Sequence, residues 1–345
     1  MKIAKFGLLL AIVIIVAGGL GGCSNNTAEQ TTTKVRIAYF PNITHSQALV
    51  GRATGQFQTA LGQSNEIEWK VFNAGPAELE ALFAGEVDIG YIGPGPAING
   101  YTKSKGDLQI IAGAMDAGAI LVTRKDVVLQ NVGELSGKRV AIPQFGNTQD
   151  LSLRSILHEN GLQDTTKGGT VEIRQADNPD IKTLLDQGEI DAALVPEPWG
   201  ARLISDVKAN VLLDEKQVWR AGNYTTAVVV ANTKFIKDHP DIIEKFLRTH
   251  VELTAYINAN PEQGKEIVNS QIKELTGKPL AKDILDAAFD RVIVTNNPEK
   301  ESIAEFVKLS LTAGFIKTAP DLNDLFNFTI LNKILQEKGL RQIEN

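Results

Sequence analysis

The chain has 345 residues, 43% of them hydrophobic and 22% charged, with 35 basic against 41 acidic side chains and a formal net charge of −6. No Lys/Arg run or basic stripe interleaved with aromatics appears, and a mildly acidic surface repels a phosphate backbone, so nucleic acid is excluded as a partner. The single Cys, Cys23, rules out an intrachain disulfide, and the four scattered His (His45, His158, His239, His250) lack metal-ligand spacing.

Lys2 and Lys5 precede an apolar run from Phe6 to Val16, then small residues and LGGC at Leu20 to Cys23. A basic start, a short apolar stretch and small residues before a cut mark a secretory signal peptide, and the run is too short to span a bilayer. LGGC resembles the lipobox of bacterial lipoproteins. That resemblance implies a cleaved signal over residues 1–22 and Cys23 as the first mature residue, carrying lipid on its sulfur. The expected location is the extracytoplasmic face of the cell membrane, or the periplasm if an outer membrane exists. The polar, aperiodic SNNTAEQTTT completes a tether over 23–33. Removing residues 1–22 takes away two Lys and no acid, leaving a net charge of −8.

Periodicity then predicts an α/β chain. Strands are expected from Val35 to Phe40, Glu66 to Phe72, Val87 to Gly93 and Leu108 to Ala114, with helices from Ser46 to Leu61 and Pro76 to Ala84. Ala119 to Arg124 leads out of this first lobe (34–118) into a second (119–223), with strands at Lys138 to Ile142, Thr170 to Ala176, Ile190 to Val195 and Val211 to Asp214. Helices are expected there at about Thr148 to Asn160 and Asp180 to Gln187. The β-branched run YTTAVVVA at Tyr224 to Ala231 reads as a strand returning to lobe one, and two crossings between lobes make a hinge. The rest of 224–345 reads as helices packed on the back of lobe one: Pro240 to Asn258, Pro261 to Gly277, Lys282 to Val294, Pro298 to Gly314 and Asp324 to Gly339.

The two lobes echo each other. PAELEALFAGEVDIGYI from Pro76 and PDIKTLLDQGEIDAALV from Pro179 share Pro, Leu, Gly, Glu and Asp in phase. Each is a helix, a glycine stop and a buried strand. VRIAYFPNITHSQAL from Val35 and KRVAIPQFGNTQDLSL from Lys138 form a second pair in the same order. Paired α/β units roughly a hundred residues apart point to two related lobes rather than a solenoid.

Catalytic signatures are missing: there is no HExxH, no GxSxG and no GxGxxG after the first strand. GELSGKR at Gly133 to Arg139 has one residue too few for a P-loop, and Arg stands where Ser or Thr must hold magnesium. The chain is therefore expected to be no enzyme and to hold no cofactor or metal.

Ligands of open α/β sheets sit beyond the carboxyl ends of the strands, where N–H groups and helix N-termini converge. Four loops qualify. PNITHSQ offers Asn42, Thr44 and His45, with helix capping by Thr44 as the alternative. GPGPA offers Gly93, Pro94 and Gly95 as an anion-binding nest or simply a rigid turn. FGNTQD presents Asn147 and Thr148 at the positive end of a helix, compatible with capping. PEPWG holds Glu197, which can receive a ligand ammonium or pair with an Arg such as Arg202 or Arg220, and Trp199, which can wall or shield the cleft.

At these segments the chain resembles the periplasmic-type solute-binding lipoproteins of ABC importers, in the nitrate, sulfonate and taurine group. YFPNITHSQALVG, FNAGPAELEALFAGEVDIGYIGPGPAINGY, GKRVAIPQFGNTQDLSLRSIL and GEIDAALVPEPWGARL carry the likeness. It implies a two-lobed type II periplasmic-binding-protein fold, a monomer that closes on one small anionic or zwitterionic ligand, and docking on a permease served by an ATPase. It also implies Gly93 to Gly95 and Asn147 with Thr148 facing the anion, with Glu197 before Pro198 as in taurine binders. No Lys or Arg falls in the four loops, which leaves dipoles to neutralise the ligand. A receptor for a thiamin-pyrimidine precursor, with Trp199 stacking on the ring, and an enzyme of the thiamin-pyrimidine synthase type are the alternatives.

Overall fold

The computed structural model describes residues 33–344, so the expected signal peptide, Cys23 and nearly all of the tether lie outside the described residues. Thr33 already opens the first strand. The chain runs β1 (Thr33–Tyr39), a 3-10 turn (Ile43–His45), α1 (Ser46–Thr54), α2 (Gln56–Leu61), β2 (Asn65–Val71), α3 (Gly75–Phe83), β3 (Ile89–Ile92), α4 (Pro94–Ser104) and β4 (Leu108–Ala117). It continues through β5 (Ala119–Thr123), β6 (Arg139–Ile142), α5 (Thr148–Glu159), β7 (Glu172–Gln175), α6 (Asn178–Gln187), β8 (Ala192–Pro196), α7 (Trp199–Val207), β9 (Asn210–Leu213) and α8 (Glu215–Val218). It ends with β10 (Thr225–Asn232), α9 (Thr233–Asp238), α10 (Pro240–Ala259), α11 (Pro261–Thr276), α12 (Lys282–Phe289), β11 (Val292–Val294), α13 (Lys300–Ala313) and α14 (Thr329–Glu337).

Two sheets result, with orders β11-β4-β10-β3-β1-β2 and β7-β6-β8-β5-β9. Read from its parallel edge, β2-β1-β3-β10-β4 matches β7-β6-β8-β5-β9 strand for strand. β1 is parallel to β2 and β3, as β6 is to β7 and β8, and β10 and β5 enter antiparallel. Both antiparallel insertions have just crossed from the other sheet. The first crossing turns at Ala117 and Gly118 (φ 59° and 78°), the second at Arg220, Ala221 and Gly222 (φ 46°, 51° and 88°). Such left-handed runs are costly outside glycine, and their place at both crossings marks the hinge.

β3, β4, β8 and β10 are nearly wholly buried, as continuous apolar runs in covered strands must be. In the second sheet the pleat sorts the core by alternation. Leu121, Val140 and Ile142 pack on one face, and Ile120, Val122 and Ala141 on the other.

The sequence echo is one structural device used twice. Gly85 and Gly188 both end their helices at positive φ, 73° and 77°. Asp88 accepts from the Arg36 backbone N–H at 2.8 Å and Asp191 from that of Arg139 at 2.9 Å, each pair 52 residues apart. In lobe two the Arg139 guanidinium adds Nε and Nη2 bonds of 3.0 and 2.9 Å. At the position of Ile181, lobe one instead buries Glu78, whose carboxyl oxygens have no partner among the described residues. A Cβ on Gly90 would run into Glu78 Oε1, so a side chain at that strand position would have to displace the buried carboxyl.

Three expectations change. Gly93 to Ala97 is no loop, because Pro94 opens α4 with Gly93 as its N-cap and proline's fixed φ suits the first helical turn. The helix expected to reach Val294 stops at Phe289. The β-branched Val292 to Val294 instead pairs antiparallel with the open edge of β4. The C-terminal helices are not confined to lobe one: α10 and α11 pack on α1, but α12 lies against α7 and α13 against both α4 and α5.

Hydrogen bonds from Arg139 hold the Asp191 carboxyl at a pKa of about 2, below its ordinary 3.8. A depressed folded-state pKa supplies stability above pH 3.8 that is lost as pH falls through about 2. Asp191→Asn should therefore lose about 2 kcal/mol in urea unfolding at neutral pH. The gap to the parent should close in acid; equal stability at pH 7 would show that this tie contributes nothing.

Candidate functional site

Between the carboxyl ends of the two sheets lies a partly open cavity of about 30 Å³. Lobe one lines it with Phe40, Asn42, Thr44 and His45 after β1, Asn73 to Gly75 before and at the start of α3, and Gly93 and Pro96 of α4. Lobe two brings Pro143, Asn147, Thr148, Gln149, Asn178 and Pro196, and the returning β10 adds Thr226. The first turns of α3, α4, α5 and α6 each contribute to the lining, so four positive helix ends adjoin the cavity.

Among the described residues, no Lys, Arg, Asp or Glu lines this cavity. His45 is neutral there: burial pushes its pKa down to about 3. The Phe40 backbone N–H donates to His45 Nδ1 at 3.0 Å, so the ring proton resides on Nε2. Asn147 caps α5, its Oδ1 accepting from the Asp150 N–H at 2.8 Å. Its amide N–H₂ remains as a donor. Asn42 Oδ1 accepts from Trp199 Nε1 at 2.9 Å, a bond that runs from lobe one to lobe two. The site is a ring of neutral donors and oriented dipoles, suited to a small anion stripped of water.

The lobes touch where α4 meets α5. Gly95 N–H donates to Thr148 Oγ1 at 3.3 Å. A Cβ at Gly93 would fall 2.2 Å from Thr148 Oγ1, and one at Gly95 2.8 Å from Leu151 Cδ1. Neither glycine has the positive φ that would explain it by backbone conformation, so close approach of the opposite lobe is what excludes a side chain.

A family model described as the NMT1-like family matches residues 28–271. The chain belongs to the NMT1-like family. It is 28% identical over 284 residues to the taurine-binding periplasmic protein of Escherichia coli (strain K12), covering 81% of each chain. A Bacillus subtilis (strain 168) protein named for binding aliphatic sulfonates is 24% identical over 347 residues, 96% of this chain and 98% of its own. In structure, the alkanesulfonate-binding protein of Xanthomonas axonopodis pv. citri bound to MOPS is similar with a TM-score of 0.69 at 17% identity, over 84% of this chain and 95% of that one. The two lobes of this NMT1-like chain form the type II periplasmic-binding-protein fold that the sequence resemblance implied.

Of the sequence-expected residues, Asn42, Thr44, His45, Gly93, Asn147 and Thr148 line the cavity, while Pro94, Gly95, Glu197 and Trp199 do not. Thr44 caps nothing, since it lies inside the 3-10 turn. Glu197 is wholly buried, with Oε1 bound to Arg291 Nη1 and Oε2 to the Ala201 N–H, both at 2.9 Å. Its expected partners are engaged elsewhere: Arg202 lies over the Trp199 ring at 4.9 Å, and Arg220 binds Glu301 and Glu305. Arg291 escapes sequence reasoning because it arrives from the segment before β11, far along the chain. Asn73 to Gly75 and Asn178 had a usable signal, because they immediately precede the duplicated Pro76 and Pro179. Thr226 had none beyond its strand.

Gly93→Val should prop the lobes apart at Thr148. Small-angle scattering should then give a larger radius of gyration with little change in melting midpoint, and a profile matching the parent would remove this contact as the limit on closure.

Proposed function

We propose that this protein is a lipid-anchored receptor of an ABC importer that captures a small anion, such as an aliphatic sulfonate, taurine or nitrate, between its lobes and delivers it to the permease. The reading makes it a carrier, with no chemistry performed on the ligand. The single observation that carries it is the interlobe cavity lined by four helix N-termini and neutral donors with no charged side chain. The names of the taurine-binding and sulfonate-binding relatives support the ligand class. Closure is favoured when the ligand contacts both lobes, because equal affinity for open and closed forms shifts nothing. Asn42 and His45 on one side and Asn147 and Thr148 on the other supply such contacts. A pyrimidine ligand would need a free aromatic face. The Trp199 indole is bonded to Asn42 and covered by Arg202, which disfavours that role.

A ligand that binds only the folded state raises the melting midpoint by mass action. In a thermal-shift panel of ethanesulfonate, taurine, nitrate, sulfate and a hydroxymethyl pyrimidine, the sulfonates are expected to stabilise the full-length chain. Thr148→Ala should weaken that binding by about 1 to 3 kcal/mol, the scale of a hydrogen bond to a charged partner. Stabilisation by the pyrimidine alone would overturn the ligand class, and unchanged calorimetric affinity would remove Thr148 from the site.

The anchor rests on LGGC at Leu20 to Cys23. Cys23→Ser should move the protein from the membrane fraction to the soluble fraction of its host. Continued membrane association with no loss of lipid label would refute the anchor.

A further inference from the structure

Three of the polar side chains around the cavity have their acceptor atoms already bonded within the protein. Asn42 Oδ1 accepts from Trp199, His45 Nδ1 from the Phe40 N–H, and Asn147 Oδ1 from the Asp150 N–H. Each retains only a donor for a ligand. That set matches the anionic end of a sulfonate, which can only accept.

Asn178 departs from this pattern. It is the first residue of α6, is 5% exposed and lines the same cavity. Its Oδ1 is buried with no donor, and among the described residues Asn178 is the only one lining the cavity that leaves a buried side-chain oxygen in that state. The start of α6 does not require this side chain: Asp177 is the N-cap and no side-chain capping bond is made there. At the equivalent point of the duplicated unit, before Pro76 rather than Pro179, lobe one has Gly75. A buried amide oxygen without a donor is unfavourable unless something brings it one.

A plain alkanesulfonate offers only C–H groups at its far end. Among the described residues no carboxylate lines the cavity to receive an ammonium, and Glu197 is held by Arg291 and the Ala201 N–H. Resting on the sulfonate reading above, we infer that Asn178 reads the far end of the ligand, its Oδ1 accepting a hydrogen bond from an O–H or N–H carried on a short sulfonate. The receptor then prefers hydroxy- or amino-substituted ethanesulfonates to ethanesulfonate itself. A neutral amide accepts from a hydroxyl and an ammonium alike, so the preference does not require a positive charge.

The test is calorimetry of ethanesulfonate, 2-hydroxyethanesulfonate and taurine against the full-length protein and two variants. The parent should bind both substituted ligands about tenfold more tightly than ethanesulfonate, the ratio one added hydrogen bond gives. Asn178→Ala should erase that advantage, so that the three ligands bind the variant within about twofold of one another. Asn178→Asp, which keeps an oxygen acceptor and adds a charge, should favour taurine over the hydroxy compound. Equal affinities for all three ligands in the parent, or a preference that survives in Asn178→Ala, would overturn this inference and leave the sulfonate reading intact. Failure of all three to bind would overturn both.

Discussion

The exchange of one strand between the two sheets is the constraint on which the rest of the molecule depends. β5 is inserted antiparallel beside β8 immediately after β4 leaves the first sheet, and β10 is inserted beside β3 after the chain leaves the second. Because each lobe contains a strand delivered by the other, the lobes are joined by two short backbone crossings rather than by a linker. Their left-handed residues, Ala117 with Gly118 and Arg220 to Gly222, allow the chain to turn sharply at the boundary. The same exchange directs the carboxyl ends of the parallel strands of both sheets toward one cleft. Helices that follow those strands therefore present their N-termini there.

This geometry allows the cleft to bind an anion without a cation. A buried Lys or Arg would carry a desolvation cost of several kcal/mol whenever the ligand was absent. Helix dipoles are already aligned by their own hydrogen bonds, so they need no such compensation. Three buried carboxylates are paired away from the cavity instead: Asp191 with Arg139, Asp150 with Arg154, and Glu197 with Arg291. Arg291 also approaches Glu215 at 3.6 Å, so the segment between α12 and β11 is tied to two elements of lobe two beside the first crossing. The C-terminal helices accordingly do more than cover one sheet: they bridge the back of the hinge.

Much of the architecture was legible in the sequence because its signals are local. Helix and strand periodicities, the glycine stops at Gly85 and Gly188, and the repeated Asp88 and Asp191 depend on neighbours a few residues away. The repeat makes each reading a check on the other. Part of the cavity lining was legible for the same reason, since Asn42, Thr44, His45, Asn147 and Thr148 lie just beyond apolar strands at helix starts. Gly93 was found for the wrong reason: its value lies in the space it leaves for Thr148, a residue of the other lobe. For Glu197 the sequence left a ligand ammonium and a structural Arg as alternatives; the structure pairs its carboxylate with an Arg, but with Arg291, which lies far along the chain, and not with Arg202 or Arg220.

The sequence by itself determined the α/β class, the duplication and the strand-to-helix turns at which a ligand is held, because these follow from periodicity and from the conformational limits of Gly and Pro. Tertiary structure alone decided which donors and acceptors remain free in the cleft: Asn42 is occupied by Trp199, Glu197 by Arg291, and Asn178 by nothing. A hydrogen bond depends on distance and angle between groups far apart in the chain, and neither quantity is written in residue order.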